Sequence, residues 1–208
     1  MNNPAVPTLG RTAHGGTSAW QSINTRRSVP PAFLNGPGPS RDELLEMLGA
    51  ASRAPDHGML VPWRFIIVDA ERATSLCDRL CDAFVEAEAS SDAGAISKMT
   101  ARLRTWLIGP PSIVFLVSCP NTGASIPECE QVFAAGAVAT TLLHAVAARG
   151  FGTIWLTGWP AYAPQAHEIL GVKPGETVVG LFPIGKPMKR PAERPRPRVE
   201  DLLTEWPG

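Results

Sequence analysis

The feature that most constrains the fold is the run from Gln131 to Ala148, which contains no Asp, Glu, Lys or Arg. Small residues recur in this run among larger apolar ones, and pairs such as Ala135 and Ala139 stand four residues apart. A helix that is apolar on every side must be covered on every side. We therefore predict a central helix that ends at Arg149 and Gly150, because a cation favours the helix C-terminus and glycine the left-handed cap.

The run approaches the length of a membrane span, which needs about 20 apolar residues. However, Thr140, Thr141 and His144 interrupt it and the sequence has no second run of this kind. A buried helix of a soluble protein is the better interpretation. Its small residues at a spacing of four would let another backbone come close, and that backbone could be a twin helix across a dimer axis. The next stretch, from Gly150 to Gly158, predicts a turn and a short buried strand.

Composition sets the class of protein. The chain has 208 residues, 44% of them hydrophobic and 18% charged, and its formal net charge is zero. This length favours one domain with a sizeable core, and the balanced charge argues against nucleic acid as the main partner. The four cysteines have neither the spacing of a zinc site nor the density of a disulfide scaffold. With no signal-peptide pattern, we expect a cytoplasmic protein without a metal site, in which Cys77 and Cys81 only pack.

Local patterns place the other elements. Residues 1–19 are predicted to be a loose tail, and residues 20–208 a single domain. A short helix covers 20–25, and Ser40 with Glu43 forms a capping box at the start of the next helix. Strands are predicted at Trp63–Asp69, Ser112–Ser118 and Thr177–Ile184, and helices at Ala73–Ala89, Ala95–Leu107 and Pro164–Leu170.

The C-terminal segment 186–208 begins as an extended arm. Between Gly185 and Arg198 the sequence places six Lys or Arg residues among four prolines. Proline at this density prevents a helix and favours the polyproline conformation. Val199, Leu202, Leu203 and Trp206 follow as apolar anchors.

Three groups of residues are candidates for chemistry. Arg26, Arg27 and Ser28 offer two forked cations and a hydroxyl, which suits a phosphate. For two arginines alone, however, a solvated helix end is the commoner explanation.

The other two groups follow later in the chain. Arg53 and His57 flank Pro55, where both side chains could face one ligand, although a surface histidine is the commoner outcome. Trp155, Leu156 and Thr157 end a predicted strand and offer apolar surface and backbone groups, although a core tryptophan would explain the same pattern. The combination of the three groups is more informative than any one of them.

This combination resembles the FMN-dependent nitroreductase family and, within it, the small bacterial YdjA-like subfamily. The resemblance is carried in order by Arg-Arg-Ser at 26–28, RAPDHGMLVPWRFIIV at 53–68, RGFGTIWLTG at 149–158 and VVGLFPIGKP at 178–187. It extends from Ile23 to the C-terminus. The RAPDH segment followed by Pro62 and Trp63 is its most specific part.

The resemblance implies an α+β fold, with a mixed, mainly antiparallel sheet surrounded by helices. It also implies an intertwined homodimer with FMN at its interface, and an arm (186–208) that crosses to the partner. By position, Arg26, Arg27 and Ser28 would hold the FMN phosphate and ribityl chain. Arg53 and His57 would reach the flavin from the other protomer, and Trp155, Leu156 and Thr157 would contact its ring. The subfamily pattern places a nicotinamide site at 145–150.

The implied activity is ping-pong hydride transfer from NADH or NADPH, through flavin N5, to nitroaromatic, quinone or similar small acceptors. No protein nucleophile or metal is required for this chemistry. Two departures concern the flavin contacts: Pro30 stands where many relatives have arginine, and His57 where they have asparagine.

Two other interpretations stay open. One is an enzyme of the same fold with different chemistry, such as dehalogenation or flavin fragmentation, because residues 70–107 and 159–164 would set the substrate. The other is a dimeric binding protein that has lost the cofactor. An absorption spectrum distinguishes the flavoprotein readings from the binding protein.

Overall fold

The computed structural model describes residues 19–90 and 92–207. Of the tail predicted at 1–19, residues 1–18 lie outside the described residues, and Ala19 begins the first helix. The helices and strands follow the expected order along the chain. Helices span α1 (Ala19–Thr25), α2 (Arg41–Ala51), α3 (Ala70–Ala87), α4 (Ala93–Leu107), α5 (Glu128–Ala148), α6 (Trp159–Tyr162) and α7 (Pro164–Leu170). Strands span β1 (Trp63–Asp69), β2 (Ser112–Ser118), β3 (Gly152–Thr153) and β4 (Thr177–Gly185).

The four strands form one sheet in the order β1-β2-β4-β3. Every strand pair among the described residues is antiparallel, with Trp63 opposite Ser118 and Ser112 opposite Ile184. The α+β class is confirmed, and within one chain the expected mixed sheet is antiparallel throughout these residues. β2 is buried along its whole length, as its continuous apolar run predicts for a central strand.

The sheet separates two hydrophobic cores. Val114 and Leu116 of β2 point into the core formed with α2 and α5. Ile113, Phe115 and Val117 point into the core formed with α3, α4, α6 and α7. Successive side chains of a strand face opposite sides, so a wholly apolar strand supplies both cores at once.

Side-chain caps begin three of the helices. The predicted capping box is present, since Ser40 Oγ accepts from the Glu43 N–H at 3.2 Å and Glu43 Oε2 accepts from the Ser40 N–H at 2.8 Å. Asp69 and Asp92 cap α3 and α4, which start earlier than the apolar pattern predicted. Asp69 also ends β1, and for that reason its role as a helix cap was missed.

The Cys77 and Cys81 side chains are buried in the second core, with their sulfur atoms 4.0 Å apart. Burial raises the pKa of the Cys77 thiol to about 12, which keeps it protonated and unreactive. The prediction that these residues only pack is confirmed.

The prediction that α5 is covered on every side is wrong for the single chain. One face lies against α2 and the sheet, where Val138, Ala139 and Leu142 are fully buried. The opposite face leaves Phe133 71% exposed, and Gly136 and Thr140 also reach the surface. α5 is long and apolar enough to span a membrane by composition, with 44% of its apolar window buried. Its packing on the sheet is that of a core helix.

Candidate functional site

The Arg26–Ser28 segment follows α1 and lies beside β3. The Val29 N–H donates to the Thr153 carbonyl at 3.0 Å. Gly152 allows this approach, because a side chain there would meet Val29 and Leu34 at 3.0 Å or less. The first and third predicted groups, Arg26–Ser28 and Trp155–Thr157, therefore lie on neighbouring backbone segments of one chain.

Arg26 stands in an excess of positive charge. Its Nη1 atom is buried and has no hydrogen-bond partner among the described residues. Burial lowers the pKa of the Arg26 guanidinium, and the charges of Arg196, Arg27 and Arg194 lower it further. A buried, unpaired donor of a cation is costly in the absence of an anion. This position is therefore suited to a phosphate or carboxylate.

Two of these four arginines, Arg194 and Arg196, belong to the C-terminal arm. Glu193 Oε1 accepts from Arg27 Nη1 at 2.7 Å and from Arg196 Nη2 at 3.1 Å. The arm is held upstream as well, since the Met188 N–H donates to the Phe33 carbonyl at 2.8 Å. We call Arg26, Arg27, Arg194 and Arg196 the arginine cluster. It joins residues from both ends of the domain.

Two cavities open beside Arg26. One, of about 120 Å³, is lined by Ser22, Thr25, Arg26, Ala147 and Ala148. The other, of about 260 Å³, is lined by Ile23, Asn24, Arg26, His144 and Arg196. The arginine cluster therefore faces open space beside the C-terminal half of α5.

The predicted Trp155–Thr157 segment lies along β4. The Trp155 indole N–H donates to the Val179 carbonyl at 2.9 Å, and its ring is 5.9 Å from that of Phe182. The backbone of Leu156 exchanges hydrogen bonds with Leu181. The chain provides room for the indole at Gly180, where a side chain would meet it. Trp155 is thus fixed in orientation while staying 36% exposed, and Thr157 is exposed.

His57 lies beside the other end of α5, and Arg53 precedes it by four residues. His57 Nδ1 is 2.8 Å from Glu130 Oε2, and both side chains are well exposed. A cavity of about 350 Å³ is lined by Pro55, His57, Glu130, Phe133, Ala134 and Ala137. The exposed Arg53 side chain forms no hydrogen bond or ion pair within residues 19–90 and 92–207, and it does not line this cavity.

The turn after His57 has an unusual backbone. Gly58, Met59 and Val61 all have positive φ angles, of 77°, 52° and 49°. This conformation is strained for a β-branched residue such as Val61. Asp56 holds the turn, since its carboxylate accepts from the N–H groups of Leu60 and Val61. The turn presents Met59, 87% exposed, to solvent.

One chain therefore brings together two of the three predicted groups. Arg26–Ser28 and Trp155–Thr157 adjoin, but Arg53 and His57 lie near Glu130, while Arg26 lies near His144. These two positions on α5 are separated by about 21 Å along the axis, at 1.5 Å rise per residue. A single chain holds the parts of the site at opposite ends of one helix.

Several residues of this region were missed from the sequence. Glu193, Arg194 and Arg196 were assigned only to the arm, and their approach to Arg26 spans the whole domain. His144 could have been identified from the sequence, because it is the one titratable side chain in the run 131–148, which lacks Asp, Glu, Lys and Arg. Glu130 directly precedes that run.

The segment 145–150, predicted to contact a nicotinamide, has several partners of its own. Arg149 forms an ion pair with Glu46. The Gly150 carbonyl accepts from Lys186 Nζ at 3.1 Å. The positive φ of Gly150, 71°, confirms the predicted left-handed cap. Ala147 and Ala148 border the smaller cavity beside Arg26, so a nicotinamide contact stays a prediction.

The two regions predicted to set the substrate touch each other. Phe84 of α3 meets Trp159 of α6 edge to face, with ring centroids 5.3 Å apart. Trp106 of α4 lies over Gly158, where an added side chain would come within 3.1 Å of the indole. Substitutions in the α3–α4 segment can therefore shift the loop that follows Trp155–Thr157.

Comparison with known proteins defines the class. The model of the nitroreductase family matches residues 23–186, and the chain belongs to this family. A curated relative from Escherichia coli strain K12, named "Putative NAD(P)H nitroreductase YdjA", is 29% identical over 169 residues, which are 81% of this chain and 88% of the relative.

Two solved structures share the fold. A nitroreductase-like family protein from Bacillus cereus superimposes with a TM-score of 0.80 at 24% identity, over 96% of this chain and 100% of that one. A mutant of NfnB, described as an FMN and NADPH-dependent nitroreductase from sphigopyxis sp. strain HMH, superimposes with a TM-score of 0.71 at 23% identity, over 92% and 100%. These similarities extend to the arm as well as the core.

Proposed function

We propose that this chain is an FMN-dependent NAD(P)H oxidoreductase that reduces nitroaromatic, quinone or similar small acceptors in a ping-pong cycle. Family membership sets the reaction class. The NAD(P)H donor is proposed from the name of the E. coli relative, and FMN from the description of NfnB. The observation on this chain that carries the proposal is the unpaired, buried Nη1 of Arg26 within the arginine cluster.

The residues beside Arg26 fit a phosphate monoester. Such a group carries close to two negative charges at pH 7 and three acceptor oxygens. Arg26 has an unused donor, Arg27 has a forked guanidinium, and Ser28 adds a hydroxyl. Glu193 neutralises only part of the cluster. We assign these residues to the FMN phosphate and ribityl chain, with Trp155, Leu156 and Thr157 at the flavin ring.

When bound, FMN accepts a hydride at N5 and passes it on to the acceptor. The protein then has to orient the cofactor, exclude water and supply positive charge or donors near the pyrimidine edge. Arg53 and His57 are suited to the last task. The Arg53 side chain is free within the described part of the chain, and Glu130 fixes the orientation of the His57 ring through Nδ1, which leaves Nε2 to face a ligand.

A homodimer accounts for the uncovered face of α5. Residues 132, 133, 136, 137, 140, 141 and 144 reach its surface at helical spacing. Small side chains at Gly136 and Thr140 would let a second α5 approach closely. Exposed apolar surface of this kind is typical of an interface, and a two-fold interface pairs the same surface with itself.

The same dimer would assemble the site. If the two-fold axis crosses α5 at right angles near its middle, the two helices run antiparallel. The Glu130 end of one helix then lies beside the His144 end of the other. Arg53 and His57 of the partner subunit would thereby face the arginine cluster across the interface. This arrangement explains why one chain holds the parts of the site about 21 Å apart.

The arm would extend from this cluster onto the partner. Val199, Leu202, Leu203 and Trp206 are each at least 63% exposed in the single chain, which suits residues that bury against a second subunit. The cysteines Cys77, Cys81, Cys119 and Cys129 are free, and we place the protein in the cytoplasm.

Optical spectroscopy tests the proposed function. The purified protein, reconstituted with FMN, should show the absorption bands of oxidised flavin. Anaerobic NADH or NADPH should bleach those bands, and a nitroaromatic or quinone should restore them. A protein that neither binds FMN nor reacts with either nicotinamide would be a binding protein instead.

A further inference from the structure

The larger cavity beside Arg26 contains a second unpaired polar atom. Nδ1 of His144 is buried and has no hydrogen-bond partner among the described residues, as is also true of Arg26 Nη1. Both side chains line the same space of about 260 Å³. Two buried nitrogen atoms without partners, on residues that line one cavity, would both be satisfied by an acceptor bound there.

The groups around His144 are cationic or neutral. Arg26 faces the cavity from the segment after α1, and Arg196 faces it from the arm. Ile23 and Asn24, which complete the lining, carry no titratable group. No carboxylate of the described residues lines this cavity, and the nearest acidic group on the arm is Glu193, which pairs with Arg196 at 3.1 Å from outside the lining.

We propose that His144 is a ligand of the FMN phosphate, which it binds as an imidazolium together with Arg26 and Arg196. This assignment rests on the proposed function and adds a residue that the family motifs do not include. The ligand chemistry is a phosphate dianion. The proton on His144 comes from solvent, so FMN binding takes up as much as one proton at a pH between the pKa of free His144 and its pKa in the bound state.

The direction of the pH effect follows from the charges. In the free protein, burial lowers the pKa of His144, and the nearby charge of Arg26 lowers it further. His144 is then neutral near pH 7 before FMN binds. A bound dianion raises the same pKa, because an opposite charge favours the imidazolium. FMN affinity therefore falls as pH rises through the pKa of the bound state, by up to about tenfold per pH unit for one linked proton.

The measurement should cover pH 6.5 to 8.5, where the phosphate itself stays mainly a dianion, since its second pKa is about 6. Over this range we expect the wild-type FMN dissociation constant to rise by about threefold or more, a fraction of the full one-proton effect. Riboflavin, which lacks the phosphate, should show no such dependence. Calorimetry in buffers of different ionisation enthalpy should detect the proton uptake with FMN only.

Two substitutions of His144 distinguish the effect of its hydrogen-bond donor from that of its positive charge, and a third variant is the control. His144→Gln keeps a donor but cannot be protonated, so it should bind FMN with a nearly constant dissociation constant across the range. His144→Lys keeps the charge at every pH and should bind FMN tightly at pH 8.5. His167→Gln on α7 is the matched control, because it makes the same change at a histidine that contacts the Ala161 carbonyl and does not line the cavity. It should retain the wild-type pH dependence.

The outcomes are distinguishable. If FMN binds and His144→Gln keeps the wild-type pH dependence, the assignment of His144 is wrong while the proposed function stands. If neither FMN nor riboflavin binds the folded wild type, the proposed function fails. Nuclear magnetic resonance gives an independent readout: the imidazole signal lost in His144→Gln should titrate at higher pH when inorganic phosphate is added, and an unmoved signal would contradict the proposal.

Discussion

The two halves of the candidate site lie at opposite ends of α5, and they differ in how far they are exposed to solvent. At the C-terminal end, the segment after α1 supplies the half-buried Arg26 and Arg27, and the arm of the same chain supplies the exposed Arg194 and Arg196. At the N-terminal end, Arg53, His57 and most of the strained turn at 58–61 are exposed, and Glu130 Oε2 lies 2.8 Å from His57 Nδ1. One half is built by the fold of a single chain, and the other lies open beside the uncovered face of α5.

Because the two halves differ in exposure, we expect them to have different roles in binding the cofactor. Half-buried cations such as Arg26 and Arg27 bind an anion more strongly than exposed ones, because less water competes with the anion. An exposed donor pair contributes little until something desolvates it. We therefore expect the arginine cluster to govern cofactor affinity, and Arg53 with His57 to govern cofactor reactivity once a second subunit covers them.

Removing the arm should have the largest effect. A chain truncated after Met188 loses Glu193, Arg194 and Arg196 but keeps the Met188 bond to Phe33. We expect it to lose the dimer or its ability to retain FMN, as measured by sedimentation and by flavin absorbance after gel filtration. Truncation after Trp206 is the matched control, because it leaves the cations and all four apolar anchors in place. A stable, flavin-loaded dimer from the shorter chain would show that the arm is dispensable.

Removing the cations from the start of the domain should have the next largest effect. Each charge-assisted hydrogen bond contributes about 1.5–3 kcal/mol, so Arg26→Ala with Arg27→Ala should weaken FMN binding by at least tenfold, by the conversion of about 1.4 kcal/mol per tenfold. The loss should be much smaller for riboflavin. Arg72→Ala, at a side chain 78% exposed on α3, is the control. Unchanged FMN affinity in the double variant would remove Arg26 and Arg27 from the site.

Changes at the exposed half should alter the reduction potential more than the affinity. On the proposed assignment, Arg53→Ala and His57→Ala each remove a donor that would stabilise negative charge on the reduced flavin. Both should lower the potential by tens of millivolts, since about 30 mV corresponds to roughly 1.4 kcal/mol for a two-electron couple. Spectroelectrochemistry on variants that still form flavin-loaded dimers measures this. Potentials equal to the wild type in both variants would mean that these residues are ordinary surface groups.

Glu130→Gln sharpens this last prediction. It keeps a side chain of similar size beside His57 Nδ1 but removes a negative charge. A nearby carboxylate disfavours the reduced flavin anion, so the potential should rise, opposite to the fall expected for His57→Ala. An effect only on thermal stability would assign Glu130 a structural role.

Much of the fold could be predicted from short stretches. The apolar run at 112–118 identified the central strand, the Ser40 and Glu43 pair identified a helix start, and the prolines excluded a helix from the arm. These features depend on hydrogen bonds and backbone preferences between near neighbours in the chain. The starts of α3 and α4 were misplaced because Asp69 and Asp92 act through a local cap that the apolar pattern does not reveal.

The candidate site likewise has features that the sequence predicts and features that only the folded chain shows. The residue types at 26–28, 53–57 and 155–157, and the family that they indicate, are readable from the sequence by itself. Only the tertiary structure decided that β3 brings the first and third of these groups together, that the arm returns to Arg26, that His144 opens into the same cavity, and that one face of α5 is left uncovered. These facts depend on contacts between residues far apart in the chain, whose energies come from burial and charge in the folded state and leave no periodic trace in the sequence.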